Sequence, residues 1–130
     1  MAEHPNAELL RKGYAAFSSG DLDTVRSIFA EDIAWHVGGK SQLAGDYKGI
    51  DDVFGFFGKL FELSGGNFTM TVHDVIANDE HGVALVHSEA TNGDKRLDQN
   101  TVHVWHISAG KATEFWGFDW DSDQDKAFFG

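Results

Sequence analysis

The side chains best equipped for chemistry lie close together in the stretch Thr101 to Asp119, TVHVWHISAGKATEFWGFD. Two runs of β-branched and aromatic residues are joined there by Ser108-Ala109-Gly110-Lys111, a short glycine-containing connection suited to a β-hairpin. Side chains alternate across a strand, so Thr101, His103, Trp105 and Ile107 share one face, and Val102, Val104 and His106 share the other. On the second run Phe115, Gly117 and Asp119 share a face, and Gly117 leaves room beside them. Same-face pairing of the two runs brings His103 and Asp119 into one pocket. A carboxylate among aromatic rings has its charged form disfavoured by desolvation, which makes it a stronger base near neutral pH, while a nearby protonated His103 would act the other way. The expected chemistry is removal of a proton next to a carbonyl by Asp119, with His103 or Tyr14 steadying the enolate oxygen.

Five further residues are candidates for the walls of such a pocket: Tyr14, Trp35, Tyr47, Trp105 and Phe115. As plain core filler they would look the same. Seven histidines raise the question of a metal. His103 and His106 point to opposite faces of their strand, and His73 and His87 become cross-strand neighbours only if the turn between them centres on Glu80. Two imidazoles without a placed carboxylate are too few for zinc, so no metal is expected. Asp119, Asp121, Asp123 and Asp125 alternate like the start of a calcium loop. The sixth position is Gln124 instead of glycine, however, and the twelfth is Gly130 instead of glutamate. A short terminal helix carrying Ala127, Phe128 and Phe129, capped by Ser122 or Asp121, accounts better for this end and would close the pocket's mouth. Asp121 also stands as the rival to Asp119 for the role of base.

The elements that must hold these residues are legible from hydrophobic period. Helical spacing over His4 to Phe17 buries Leu10, Tyr14 and Phe17, with Asn6 expected as N-cap and Gly20 as the C-terminal stop. Asp21 caps a second helix whose inner face is Leu22, Val25, Ile28 and Phe29. Ile33 to Val37 is a short strand closed by Gly38-Gly39, and residues 40 to 49 read as a loop. A third helix carries Val53, Phe54, Phe57, Leu60 and Phe61, although Gly55 and Gly58 weaken it by about 1 kcal/mol each relative to alanine. From Asn67 the period changes to two, and Phe68–Ala77, Val83–Thr91, Leu97–Ile107 and Ala112–Trp120 read as four strands. Turns at 78–82, Asn92-Gly93 and 108–111 join them into a meander. Helices early and strands late predict an α+β domain, its helices laid over one face of a mostly antiparallel sheet.

At 130 residues the chain is one domain, 1–130, large enough to bury roughly two thirds of its unfolded surface. Ten basic against 21 acidic side chains give a formal charge of −11, which argues against nucleic acid and anionic membranes as partners. There is no cysteine, so disulfides, a thiol nucleophile and thiolate metal sites are excluded. The opening MAEHPNAELLRKG lacks the apolar run of a secretory leader, and no segment is long and apolar enough to span a bilayer. A cytoplasmic location is the expectation.

Ala15-Ala16-Phe17-x-x-Gly20-Asp21-Leu22-Asp23 runs into Ile28-Phe29-Ala30-Glu31-Asp32. Together with Trp35-His36, Gly45-Asp46-Tyr47-x-Gly49 and Val104-Trp105-His106-x-x-x-Gly110-Lys111, it resembles the SnoaL-like, ketosteroid-isomerase-like branch of the NTF2-like superfamily along the whole chain. The resemblance implies a curved sheet wrapped into a cone by three helices, a pocket inside it, and a homodimer formed through the outer sheet face. Ketosteroid isomerases use a base aspartate, a tyrosine and a protonated aspartic acid; aligned here, these fall on Val37, on Gly13 beside Tyr14, and on His103. Steroid isomerisation is therefore not expected. The SnoaL-like polyketide cyclases are similar near the end of the chain, where Trp116-Gly117-Phe118-Asp119 offers Asp119. They work without cofactor or metal and close a ring by aldol chemistry, so the implied partner is a small apolar carbonyl compound. Three function classes follow: a cofactor-free cyclase or isomerase, a non-catalytic binder of an apolar ligand, and a dimerisation module with a vestigial pocket. Fold alone does not choose among them.

Overall fold

The computed structural model describes residues 3–130. In chain order it contains α1 (Pro5–Ser19), α2 (Leu22–Ile28), β1 (Phe29–Val37), β2 (Gly45–Lys48), α3 (Ile50–Leu63), β3 (Thr69–Ala77), β4 (His81–Asn92), β5 (Lys95–Ser108), β6 (Lys111–Asp119) and α4 (Ser122–Phe129). The six strands form one curved sheet in the order β2-β1-β6-β5-β4-β3. Every pairing is antiparallel except β1 with β6, which is parallel.

Local chemistry accounts for most of these boundaries. Pro5 starts α1, where its missing N–H costs nothing. The cap is His4, not Asn6: the His4 ring accepts from Asn6 N–H at 3.1 Å. Asn6 instead donates its side-chain amide to Asn78 and Asp79 carbonyls, pinning α1 to the β3–β4 turn. Gly20 ends the helix at φ 77°, its N–H bonded to the Ala16 and Phe17 carbonyls. Asp21 caps α2 by accepting from Thr24 N–H at 3.2 Å.

Two expectations are corrected here. Phe29 belongs to β1 and not to the second helix; its backbone is already extended (φ −92°, ψ 140°) and it pairs with Ala112. Its ring packs on Trp35 and Trp105. Residues 45–48, read as loop, form the edge strand β2, which exists through its pairing with β1, Trp35 opposite Tyr47.

The concave face of the sheet and the inner faces of α1, α2 and α3 share one core, built on Leu10, Val25, Ile33, Val53, Val86 and Ile107. Leu10 and Val53 are 1% and 0% exposed, and burying side chains of this size stabilises by about 2 kcal/mol each. A second cluster, with Leu43, Leu97, Phe128 and Phe129, lies where α4 covers the end of the sheet. The convex face differs. Ile76, Val102 and Phe118 are exposed there, beside half-buried Val83, Leu85, Val104 and Trp116. Among the described residues, no helix is long and apolar enough to cross a membrane.

Candidate active site

The sheet and helices line a partly open cavity of about 140 Å³, similar in size to engineered cavities of about 150 Å³ that take up benzene. Of the five expected wall residues, Tyr14, Trp35, Trp105 and Phe115 line it. Trp35 and Phe115 stack at 3.8 Å between centroids, and Trp105 meets Phe115 edge-on at 4.8 Å. Tyr47 is the exception. Its hydroxyl donates to the Leu43 carbonyl at 2.8 Å, and its ring packs on Phe56, which lines the cavity in its place.

Both expected chemical residues reach the cavity, but they do not pair. His103 lies opposite Gly117, and Asp119 lies opposite Thr101. They are diagonal neighbours on the concave face, a relation that separates side chains by roughly 7 Å. Room at this point depends on Gly117, since a Cβ there would come within 3.2 Å of the Phe115 ring.

Each of the two belongs to its own polar group. Trp105 Nε1–H donates to the Tyr14 hydroxyl at 3.1 Å, and that hydroxyl lies 2.6 Å from His103 Nδ1. Indole N–H can only donate, and Nδ1 is the acceptor within reach of the tyrosine proton. Tyr14 therefore donates to Nδ1, and the neutral imidazole carries its proton on Nε2. That nitrogen has no protein partner among the described residues, so an N–H donor is left for a ligand. Burial lowers the His103 pKa to about 4 and pushes that of Tyr14 well above its ordinary value. His103 is thus neutral near pH 7, so the lowering effect that a protonated imidazole would have on Asp119 does not arise.

The second group contains a residue that sequence reasoning missed. Asp125, on α4, is 7% exposed and lies beside Asp119 and Ser41. Burial, then the charge of Asp125 and the bond to it, raise the Asp119 pKa to about 7. Burial raises Asp125 as well, against the lowering effect of Ser41 and Asp119. The available signal was helical spacing, since Asp125 shares a face with Phe128 and Phe129, where a carboxylate is out of place unless it has a partner. Asp121, the rival base, accepts from Asp123 and Gln124 N–H and is the N-cap of α4.

The histidine pair considered for a metal is not formed. His87 stands opposite Thr71, and His73 occupies the bulge between Val72 and Asp74. His87 gathers instead with Glu89 and Asp98 at the surface, where Arg96 already pairs with Asp98 at 2.8 Å.

Comparison with known proteins agrees with this architecture. Uncharacterized protein Rv0034 of Mycobacterium tuberculosis is 31% identical over 130 residues, covering 99% of both chains. The Mycobacterium bovis protein Mb0035 matches equally. Bal32a, from a soil-derived mobile gene cassette, superposes with a TM-score of 0.92 at 33% identity, over 97% of each chain. TerC, crystallised with polyporic acid, superposes at 0.86 with 22% identity over 97% of this chain and 98% of that one. A putative SnoaL-like polyketide cyclase from Jannaschia superposes at 0.78 with 15% identity over 91% and 87%. The SnoaL-like domain model matches residues 10–115, and the chain belongs to the SnoaL-like domain family.

Proposed function

We propose that this protein is a cofactor-free small-molecule enzyme of the cyclase or isomerase type, in which Asp119 removes a proton adjacent to a carbonyl group. The observation that carries this reading is the carboxyl group of Asp119 set at one side of a largely apolar cavity, where burial raises its pKa to about 7. A base whose pKa matches the working pH combines a useful ionised fraction with proton affinity. As negative charge develops on the carbonyl oxygen, the free Nε2–H of neutral His103 is the donor available to it, held in orientation by Tyr14. The substrate is an apolar, largely planar carbonyl compound with an acidic α-proton. The fold shared with a putative polyketide cyclase and with a protein crystallised with polyporic acid supports that substrate class. The apolar convex face supports a homodimer formed through the sheet.

The test uses 2-tetralone, a bicyclic aromatic ketone with acidic protons, as a probe. Exchange of its α-protons for deuterium is followed by NMR, and binding by quenching of tryptophan fluorescence. Asp119→Asn preserves shape and removes the base. The expectation is exchange reduced by about hundredfold or more with binding retained. Exchange that survives Asp119→Asn unchanged would rule out Asp119 as the base. Binding without exchange in the wild type would favour a non-catalytic ligand carrier.

A further inference from the structure

We propose that Asp125 is a second catalytic carboxyl of the cavity, and that Asp119 and Asp125 act as a pair holding one proton between them, one taking a proton from the substrate while the other gives one. The inference rests on the reading of Asp119 as the base and deepens it.

Geometry carries the argument. Asp125 and Asp119 are contributed by different elements, α4 and the end of β6, yet both line the same cavity, and both bring Oδ2 up to Gly39. Two carboxyl groups placed this close can share a hydrogen bond only if one of them keeps its proton. The wall behind them is backbone: a Cβ on Gly39 would stand 3.4 Å from Asp125 Oδ2 and 3.7 Å from Asp119 Oδ2. Glycine at this positive φ (94°) lets the chain pass close behind both. Ser41 favours the ionised form of Asp125, so the two carboxyls have unequal surroundings, and the less supported one, Asp119, is the better base.

Neighbouring charges do not supply a counter-ion. From the 38–44 connection, Lys40 is engaged with Asp123 at 3.0 Å. From β5, Thr101 is uncharged and its hydroxyl faces Ser88 at 3.4 Å, Gln99 accepts from Asp121 N–H, and His103 is neutral. On α4 itself Asp121 caps the helix and Lys126 is exposed. Two negative charges side by side in this setting repel without compensation, and a single shared proton relieves that.

The pair suits an intramolecular aldol closure. The shared proton, which rests on Asp119 as the better base, first passes to Asp125; ionised Asp119 then takes the α-proton, and the C–H electron pair forms the new C–C bond to a second carbonyl carbon of the same molecule. The oxygen of that carbonyl receives the electron pair of its broken π bond and takes the proton of Asp125. The pair again holds one proton, on Asp119, which is the starting state. Substrate and product are isomers, and no oxidant, reductant or co-substrate enters. The substrate class narrows to dicarbonyl compounds whose acidic carbon and second carbonyl reach the same end of the cavity.

The experiment combines NMR titration of carbon-labelled aspartate carboxyls with 2-tetralone exchange across pH, in the wild type, Asp125→Asn, Asp119→Asn and, as a control, Asp123→Asn. In the wild type, the Asp119 and Asp125 signals are expected to move together through two steps, and exchange to follow a bell-shaped pH profile. Asp125→Asn should abolish one step, shift the remaining Asp119 midpoint to lower pH, remove the alkaline fall of the profile and reduce peak exchange about hundredfold. Asp123→Asn should match the wild type. Independent one-step titrations in the wild type would overturn the shared proton whether or not any variant folds. Exchange that requires Asp119 but is unchanged in rate and profile by Asp125→Asn would overturn the role of Asp125 and leave the base intact. Exchange indifferent to Asp119 would bring down the underlying reading of the site.

Discussion

Replacing Asp119 by Asn should stabilise the fold, and by an amount that grows with pH. A carboxyl whose pKa is raised from 3.8 to about 7 on folding binds its proton more tightly in the native state. It therefore opposes folding once the unfolded chain ionises near pH 4, and increasingly so until pH passes 7. At about 1.4 kcal/mol per pH unit the full penalty is about 4 kcal/mol, of which roughly 2.5 develops between pH 5 and 8. Asp119 is only half-buried, and the charge is shared with Asp125, so we halve this to about 1–2 kcal/mol. Asparagine carries no such penalty. The assay is urea unfolding followed by tryptophan fluorescence at pH 5, 6.5 and 8, read as the difference between variant and wild type. The difference matters because His103 acts in the opposite sense. Its pKa falls from 6.5 to about 4, so the stability it contributes is complete above pH 6.5 and is lost as pH falls toward 4. The wild-type curve alone is flattened by these opposing slopes. A stability difference between Asp119→Asn and wild type that stays constant from pH 5 to 8 would refute the reasoning, because Asp119 would then titrate normally.

Three further outcomes are expected. His103→Gln should leave the Asp119 slope unopposed, so its unfolding midpoint should rise relative to that of the wild type as pH falls from 6.5 to 4.5; a difference that stays constant over this range would place the acid-sensitive group elsewhere. Tyr14→Phe leaves Trp105 Nε1–H and His103 Nδ1 without their shared partner, at a cost of about 1–3 kcal/mol by thermal unfolding. Val102→Glu puts charge into the apolar convex face and should convert the proposed homodimer to monomer in sedimentation; a wild type already monomeric at micromolar concentration would refute the dimer.

What the sequence made legible followed the strength of local signals. The meander was readable because Asn92-Gly93 and Ala109-Gly110 dictate tight turns and alternation fixes which side chains face inward. His103, Trp105 and Phe115 therefore fell on the concave face as expected. β2 was not readable: Gly45-Asp46-Tyr47-Lys48 is short and polar, and only its partner β1 makes it a strand. Phe29 misled because it continues the spacing of Val25 and Ile28, while its conformation is decided by long-range pairing with Ala112. Tyr47 misled for a related reason, since its pairing was unknown and Phe56 stands between it and the cavity. Asp125 was hidden by the alternation of aspartates around it, which drew attention to spacing along the chain and away from the buried helical face it shares with Phe128 and Phe129.

The parallel junction of β1 and β6 has a bearing on how this protein assembles. Each strand from β3 to β6 joins its sequence neighbour through a short turn, but Trp35 and Phe115, whose rings stack across the junction, are about 80 residues apart in the chain. Closing a loop of that length costs about 4 kcal/mol in chain entropy beyond the constant term, and such non-local pairings form slowly. The meander can organise on its own, whereas the wall of the cavity exists only after this seam has closed. A molecule bound in the cavity touches both sides of the seam and adds its binding free energy to the contact that is hardest to form. Candidate ligands can therefore be ranked by how far they raise the unfolding temperature, before any reaction has been identified.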